Sequence, residues 1–236
     1  MDLQGAKLTW LGHSTFRLRT PGGKIVLIDP WVMGNPACPD SEKQVKQVDV
    51  MLCTHGHFDH IGDAVAIAKQ HNPQVVGIFE LVSWMQRKGV QRIAPMNKGG
   101  TQQVGDIRVT MVHADHSCGI EEEDGTIIYG GEPCGFVIEL ESGLKLYHAG
   151  DTNVFGDMAI IRELYAPEIA LLPIGDLFTM SPREVAYACK LLRPKWVVPM
   201  HFGTFPPLTG TPSEVKRMLG ESGAGVVDLQ PGQTIG

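Results

Sequence analysis

A chain of 236 residues, 43% hydrophobic and 19% charged with a formal net charge of −6, reads as one globular domain over 1–236, long enough to build a core without cross-links. The negative balance and the lack of a long basic run argue against a nucleic-acid binder. Five cysteines, at 38, 53, 118, 134 and 189, are odd in number and include no CxxC, so they indicate neither a disulfide framework nor a structural zinc knot. The opening MDLQGAKLTWLGHS has no basic stretch followed by an apolar one, and no secretory signal is read there. The longest apolar runs fall far short of a membrane span. The expected setting is a reducing cytoplasm, with a small molecule rather than a membrane or a nucleic acid as partner. A homo-oligomer stays open.

In chain order, Lys7–Trp10, Thr15–Arg19 and Lys24–Ile28 are short, β-rich and separated by Gly or Pro-Gly breaks, which predicts an opening meander. The pattern then changes to strand, loop, helix. Val48–Cys53 reads as a strand and Asp63–Gln70 as a helix, followed by a strand at Val75–Ile78 and a helix at Leu81–Lys88. Strands are expected again at Ile107–Val112, Gly135–Leu140, Leu144–His148 and Ile169–Leu172. Ser181-Pro182-Arg183-Glu184 offers an N-cap, a proline in the first turn and a capping-box Glu, so a helix is expected over Arg183–Leu192. A strand at Trp196–Pro199, a helix near Ser213–Leu219 and a closing strand at Gly225–Leu229 complete the pattern. There is no short-period repeat. Many strands in each half, each half closing with helices, predict a sheet sandwich covered by helices.

Four places put His or Asp just past a predicted strand. Val48–Cys53 runs into His55, His57, Asp59 and His60, and Ile107–Val112 into His113, Asp115 and His116. Leu144–Tyr147 runs into His148 and Asp151, and Trp196–Pro199 into His201. Strand ends along one sheet edge meet in space, and imidazole with carboxylate suits Zn, Mn, Fe or Ni better than Ca or Mg. His55 and His57, two apart in an extended segment, face the same way and can chelate one ion. Asp59 and His60, past the turn, can face a second. A carboxylate such as Asp151 can serve both.

The run His55-x-His57-x-Asp59-His60, the later His116-Ser117, Gly150-Asp151-Thr152 and Met200-His201 resemble the metallo-β-lactamase superfamily. WLGHSTF at 10–16, IDPW at 28–31 and ADHS at 114–117 resemble more narrowly the UlaG-like metal-dependent hydrolases, the UPF0173 group. The resemblance implies an αββα sandwich of two mixed sheets with helices on the outer faces. It implies two divalent metal ions, with zinc first and manganese, nickel or iron as alternatives. His55, His57 and His116 would hold one, Asp59, His60 and His201 the other, and Asp151 would bridge. The activity it implies is hydrolysis by a hydroxide between the metals, oriented by Asp59 or Asp151. The substrate would be an ester or lactone, such as one of a phosphorylated sugar acid, or a small phosphodiester.

Single residues carry rival readings. His113 competes with His116 for one ligand position, and the resemblance selects His116. His148 reads as a packed histidine, and His71, after a helix, as solvent-facing. Asp29 and Asp115 either orient metal-bound histidines or belong to turns. His13, in Gly-His-Ser between two strands, is either structural or a catalytic group that binds substrate or protonates a leaving group. The segment Cys118–Gly135 and the stretch Phe202–Leu208 are expected as loops walling a pocket. A nuclease of the same fold would need a cap or arm for which the chain has no room, and a non-enzymatic metal-binding protein would be expected to close its coordination shells.

Overall fold

Short apolar runs cut by Gly and Pro build the first sheet, and their order sets where the chain must cross over. The computed structural model describes residues 1–221 and 223–236. Lys7–Trp10 (β1), Phe16–Arg19 (β2) and Ile25–Ile28 (β3) pair as an antiparallel meander. Val50–Leu52 (β4), Gln74–Ile78 (β5) and Ile93–Met96 (β6) then add in parallel. Parallel neighbours need crossovers. The β3–β4 crossover carries only a short 3-10 turn at Asp40–Glu42, whereas Phe58–Ile61 (α1) and Ala64–His71 (α2) lie in the β4–β5 crossover and Phe79–Arg87 (α3) in the β5–β6 crossover.

The second sheet repeats this plan. Thr101–Val104 (β7) and Ile107–His113 (β8) form a hairpin. Gly119–Glu121 (β9) and Ile127–Tyr129 (β10) form a separate two-stranded hairpin. Cys134–Glu139 (β11) pairs antiparallel with β8 and with Lys145–His148 (β12). Met158–Tyr165 (α4), Ile169–Pro173 (β13), Pro182–Leu192 (α5), Trp196–Met200 (β14), Pro212–Leu219 (α6) and Gly225–Val226 (β15) follow, with the last strands parallel. Thr234–Ile235 (β16) returns to the first sheet beside β1. The orders are β16-β1-β2-β3-β4-β5-β6 and β15-β14-β13-β12-β11-β8-β7. This is the two-sheet sandwich with flanking helices that the sequence predicts.

Alternation along the strands divides the core. On β11, Phe136 and Ile138 join the large cluster that includes the first sheet, while Val137 joins the cluster containing α4, α5 and α6. Leu171 and Val198 likewise face the first cluster, and Ala170, Leu172 and Val197 the second. Each such leucine or valine contributes roughly 1.5–3 kcal/mol by burial. α5 starts where its capping box lies, with Ser181 N donating to Glu184 Oε2 at 2.7 Å. The same device, Thr211-Pro212-Ser213-Glu214, starts α6.

Several sequence expectations need correction. The expected closing strand Gly225–Leu229 is only Gly225–Val226, and the chain closes instead with β16 on the far sheet. β6 escapes the sequence because Pro95 interrupts it, and an edge strand tolerates that. β7, also an edge, is mostly polar. α4 carries apolar residues on two faces: Met158 and Ile161 are buried, while Ile160 and Leu164 are exposed. That blurs its helical period. Within Cys118–Gly135 lies the β9–β10 hairpin rather than a plain loop. His71 is half-buried, not solvent-facing, and its Nε2 has no hydrogen-bond partner among the described residues.

Candidate metal centre

The candidate residues sit where strands end. His55, His57, Asp59 and His60 follow β4 and enter α1, while His116 follows β8, Asp151 follows β12 and His201 follows β14. The β1–β2 turn brings His13 to the same edge, and Asp29 comes off the end of β3. His13, Asp29 and His201 hold φ of 54°, 47° and 55°. A left-handed backbone at such residues costs on the order of 1–3 kcal/mol each, and strain of this kind concentrates at functional sites. Gly150, at φ 63°, solves a problem of space as well, because a Cβ there would stand 2.6 Å from Cys134 O and 2.9 Å from Thr54 Cβ. Only glycine lets the chain pass that close and present Asp151.

Three sets of ligand atoms each lie within 4.8 Å of one another: His55, His57 and His116; His13, Asp59, His60 and His201; and His55, His60 and Asp151. All eight sequence candidates are in them. Asp151 Oδ2 lies among all the sets, 2.9 Å from His201 Nε2, 3.3 Å from His60 Nε2, 3.7 Å from His116 Nε2 and 4.0 Å from His55 Nε2. Yet His60 Nε2, both ring nitrogens of His201 and Asp151 Oδ1 make no hydrogen bond among the described residues. Buried polar atoms are rarely left so. Atoms that crowd together without hydrogen-bond geometry are aimed at a common point, as around a cation.

Proton positions follow from the outer contacts. Asp29, fully buried, accepts from Thr54 N at 2.8 Å, from Thr54 Oγ1 at 2.7 Å and from His60 Nδ1 at 2.8 Å. Thr54 Oγ1, its own proton spent on Asp29, accepts from His55 Nδ1 at 3.0 Å. One carboxylate thereby turns the Nε2 lone pairs of both His55 and His60 inward. His57 Nε2 lies 3.3 Å from Ser117 Oγ, and its Nδ1 faces His55 Nε2 at 3.0 Å.

The electrostatics divide the histidines. Burial lowers His55, with His60 adding to the effect. Burial alone would lower His60 and His201 too, but the neighbouring carboxylates, Asp151 foremost, raise His60 well above the usual range and His201 to about 9. Burial alone would raise Asp151, and His201 and His60 instead hold it well below. Asp59 likewise stays below the ordinary carboxylate range, burial being outweighed by His60, His13 and His201.

Other expectations separate here. Asp29 orients histidines, the first of its two readings. Asp115 does not: its side chain is exposed, while its backbone N donates to Thr152 Oγ1 and its O accepts from Asn153 N. His113 is exposed beside Lys98 and outside the three sets. His148 is the packed histidine expected, with Nε2 donating to Ser14 O at 3.1 Å and Nδ1 accepting from Gly150 N at 3.2 Å. His13 is fully buried, with Nε2 2.9 Å from Asp59 Oδ2 and Nδ1 3.0 Å from Thr204 Oγ1. Burial first, then His201 and His60, push it down to about 4, so it is neutral and Thr204 donates to Nδ1. His13 meets the site through Asp59, which lines the cleft while His13 does not. The sequence reading missed Thr54 and Thr204. Thr54 stands directly before His55 at a strand end, a position that could have marked it; Thr204 had no comparable signal.

A family model described as a β-lactamase superfamily domain matches residues 7–201. A UPF0173 metal-dependent hydrolase of Koribacter versatilis is 63% identical over 99% of both chains, and one of Solibacter usitatus is 55% identical over 97% of this chain and 99% of its own. The solved structure of Igni18, a metallo hydrolase from the archaeon Ignicoccus hospitalis, is 37% identical with a TM-score of 0.83, covering 98% of this chain and 97% of that one. Motif, fold and whole-length similarity agree: the chain belongs to the β-lactamase superfamily and, within it, to the UPF0173 metal-dependent hydrolases.

Proposed function

We propose that the centre holds two divalent cations and hydrolyses an ester, lactone or small phosphodiester, a small-molecule reaction in the cytoplasm. The observation that carries this is Asp151 Oδ2, within 4.0 Å of four histidine nitrogens drawn from both neighbouring groups, while His60 Nε2, both His201 nitrogens and Asp151 Oδ1 lack hydrogen-bond partners among the described residues. His55, His57 and His116 would hold one ion, Asp59, His60 and His201 the other, with Asp151 shared. The N/O donor set suits zinc first, then manganese, nickel or iron. Such ions supply Lewis acidity: a water nucleophile at neutral pH and stabilisation of developing negative charge.

The protein's part is orientation. Asp29 fixes the tautomers of His60 directly and of His55 through Thr54. Asp59 faces the cleft and is the group placed to orient the attacking water. His13 acts as a positioning residue, its Nε2–H holding Asp59 Oδ2 while Thr204 fixes the ring. Elemental analysis after loading with zinc tests the reading: two ions per chain are expected, falling toward one in His57→Ala and in His201→Ala. One ion per saturated chain, or full occupancy in Asp151→Ala, would overturn it.

A further inference from the structure

Beyond the His and Asp side chains, the cleft over this centre is walled by Phe58, Ile127, Phe178, Phe205, Pro207 and Leu208. Its volume of about 600 Å³ lies within the range of small-molecule sites. Among the described residues lining it, none is Lys or Arg, and Glu121 adds a negative charge. Phe58, Ile127 and Phe178 are 60%, 72% and 60% exposed, although large and apolar. One such side chain is ordinary; three from separate parts of the chain, converging on one mouth, form a patch that calls for a ligand.

Each of the three is presented by its own element. Phe58 opens α1, inside the histidine motif itself. On the β9–β10 hairpin, Ile120 is buried and Ile128 packs on the core, which anchors one face. The other face carries Glu121 opposite Ile127 and Gly119 opposite Tyr129. A Cβ at Gly119 would stand 2.8 Å from Ile127 Cγ2, so glycine leaves the space over which Ile127 leans. Phe178 follows Asp176 and Leu177, two consecutive residues at φ 66° and 52°. That turn holds strain on the cleft wall, where a substrate contact would account for it.

We propose, resting on the hydrolase reading above, that the substrate is an uncharged carboxylic ester or lactone bearing an apolar group, which Phe58, Ile127 and Phe178 receive at the mouth. Hydrolysis adds the oxygen of water to the acyl carbon, breaks the acyl C–O bond, and returns an acid and an alcohol whose oxygen has taken up a proton. An anionic body, such as a phosphorylated sugar acid, would find no Lys or Arg among the described residues of these walls and would face Glu121.

The test uses the zinc-loaded full chain with 4-nitrophenyl acetate, butyrate and hexanoate, and with mono-4-nitrophenyl succinate as the anionic match to butyrate. A methylene buried from water is worth roughly a fourfold gain, so kcat/KM should rise about two- to fourfold per methylene through the half-open cleft. Butyrate should exceed succinate by about tenfold or more. Ile127→Lys should flatten the chain-length slope and narrow that preference at least about threefold. A flat or falling slope in the natural protein, or succinate hydrolysed as well as butyrate, would overturn the proposal. Turnover of none of these esters would also overturn the ester assignment, and a binding arm then locates the failure. 2-Butanone, 2-hexanone and 2-octanone are titrated into zinc-loaded protein while the ¹³C resonance of the Ile127 δ-methyl is followed. A shift that tightens with chain length would leave the apolar mouth standing and place the failure in the hydrolase reading. An unmoved Ile127 methyl would remove the mouth as well.

Discussion

Asp29→Asn tests whether one buried carboxylate organises the centre. Asparagine matches the shape of aspartate and tolerates a left-handed backbone better than most residues, so φ 47° at this position adds little new strain. The amide keeps one acceptor oxygen, which can still serve Thr54 N, now bonded to Oδ1 at 2.8 Å. The other position becomes an NH₂ facing two donors, Thr54 Oγ1–H and His60 Nδ1–H, at 2.7 and 2.8 Å. His60 must then turn or shift its proton to Nε2, the nitrogen that would face the proposed metals. His55 loses its indirect support through Thr54. Removing such outer contacts typically costs 10–100-fold in metal affinity, and hydrogen bonds to a charged group are worth about 1.5–3 kcal/mol apiece. Zinc affinity, measured by competition with a chromophoric chelator, should therefore fall about 10–100-fold. The loss should be largest for the ion assigned to His60, with melting of the zinc-free protein lowered as well. Unchanged affinity for both ions in a folded Asp29→Asn protein would refute the tautomer argument.

Two further outcomes follow from the same geometry. His13→Ala removes the donor at 2.9 Å from Asp59 Oδ2 and should lower turnover about 10–100-fold while both ions remain by elemental analysis; loss of an ion would instead make His13 a ligand. His201, raised from 6.5 to about 9 without metal, contributes stability to the metal-free protein that is fully present below about pH 6.5 and is lost as pH rises through 9. Metal binding has the opposite sign, because the ion displaces that proton. Zinc uptake at pH 7 should then release roughly one to two protons, from His201 and His60, a number falling as pH approaches 9. Calorimetry in buffers of different ionisation heat measures this, and uptake without proton release at pH 7 would refute it.

The sequence made the candidate ligands legible because metal chemistry restricts residue type and the strand–loop pattern restricts place. His55, His57, Asp59 and His60 needed only a strand before them, which β4 provides. Asp151 and His201 lie far along the chain, yet each stands just past an apolar run that had to be a strand. Elements in the interior were read for the same reason: β13 is buried along its whole length, so its composition is dictated. At the edges it is not. β6 with its proline, β7 with its glutamines and two-residue β16 are held by one neighbour each and carry little pattern.

What stayed hidden is the layer in which one polar side chain decides what another does. Asp29 could be seen in the sequence as a possible orienting carboxylate, but so could Asp115, and nothing local separates them. The fold does so by direction. Asp29 leaves β3 in a left-handed turn that places its carboxylate beside β4, within 2.8 Å of both Thr54 and His60, whereas Asp115 leaves β8 with its side chain exposed. His13 shows the converse. Its type and its turn pointed to chemistry, and the structure places it behind Asp59 with both nitrogens engaged. A histidine so enclosed can govern the carboxylate in front of it without touching the substrate.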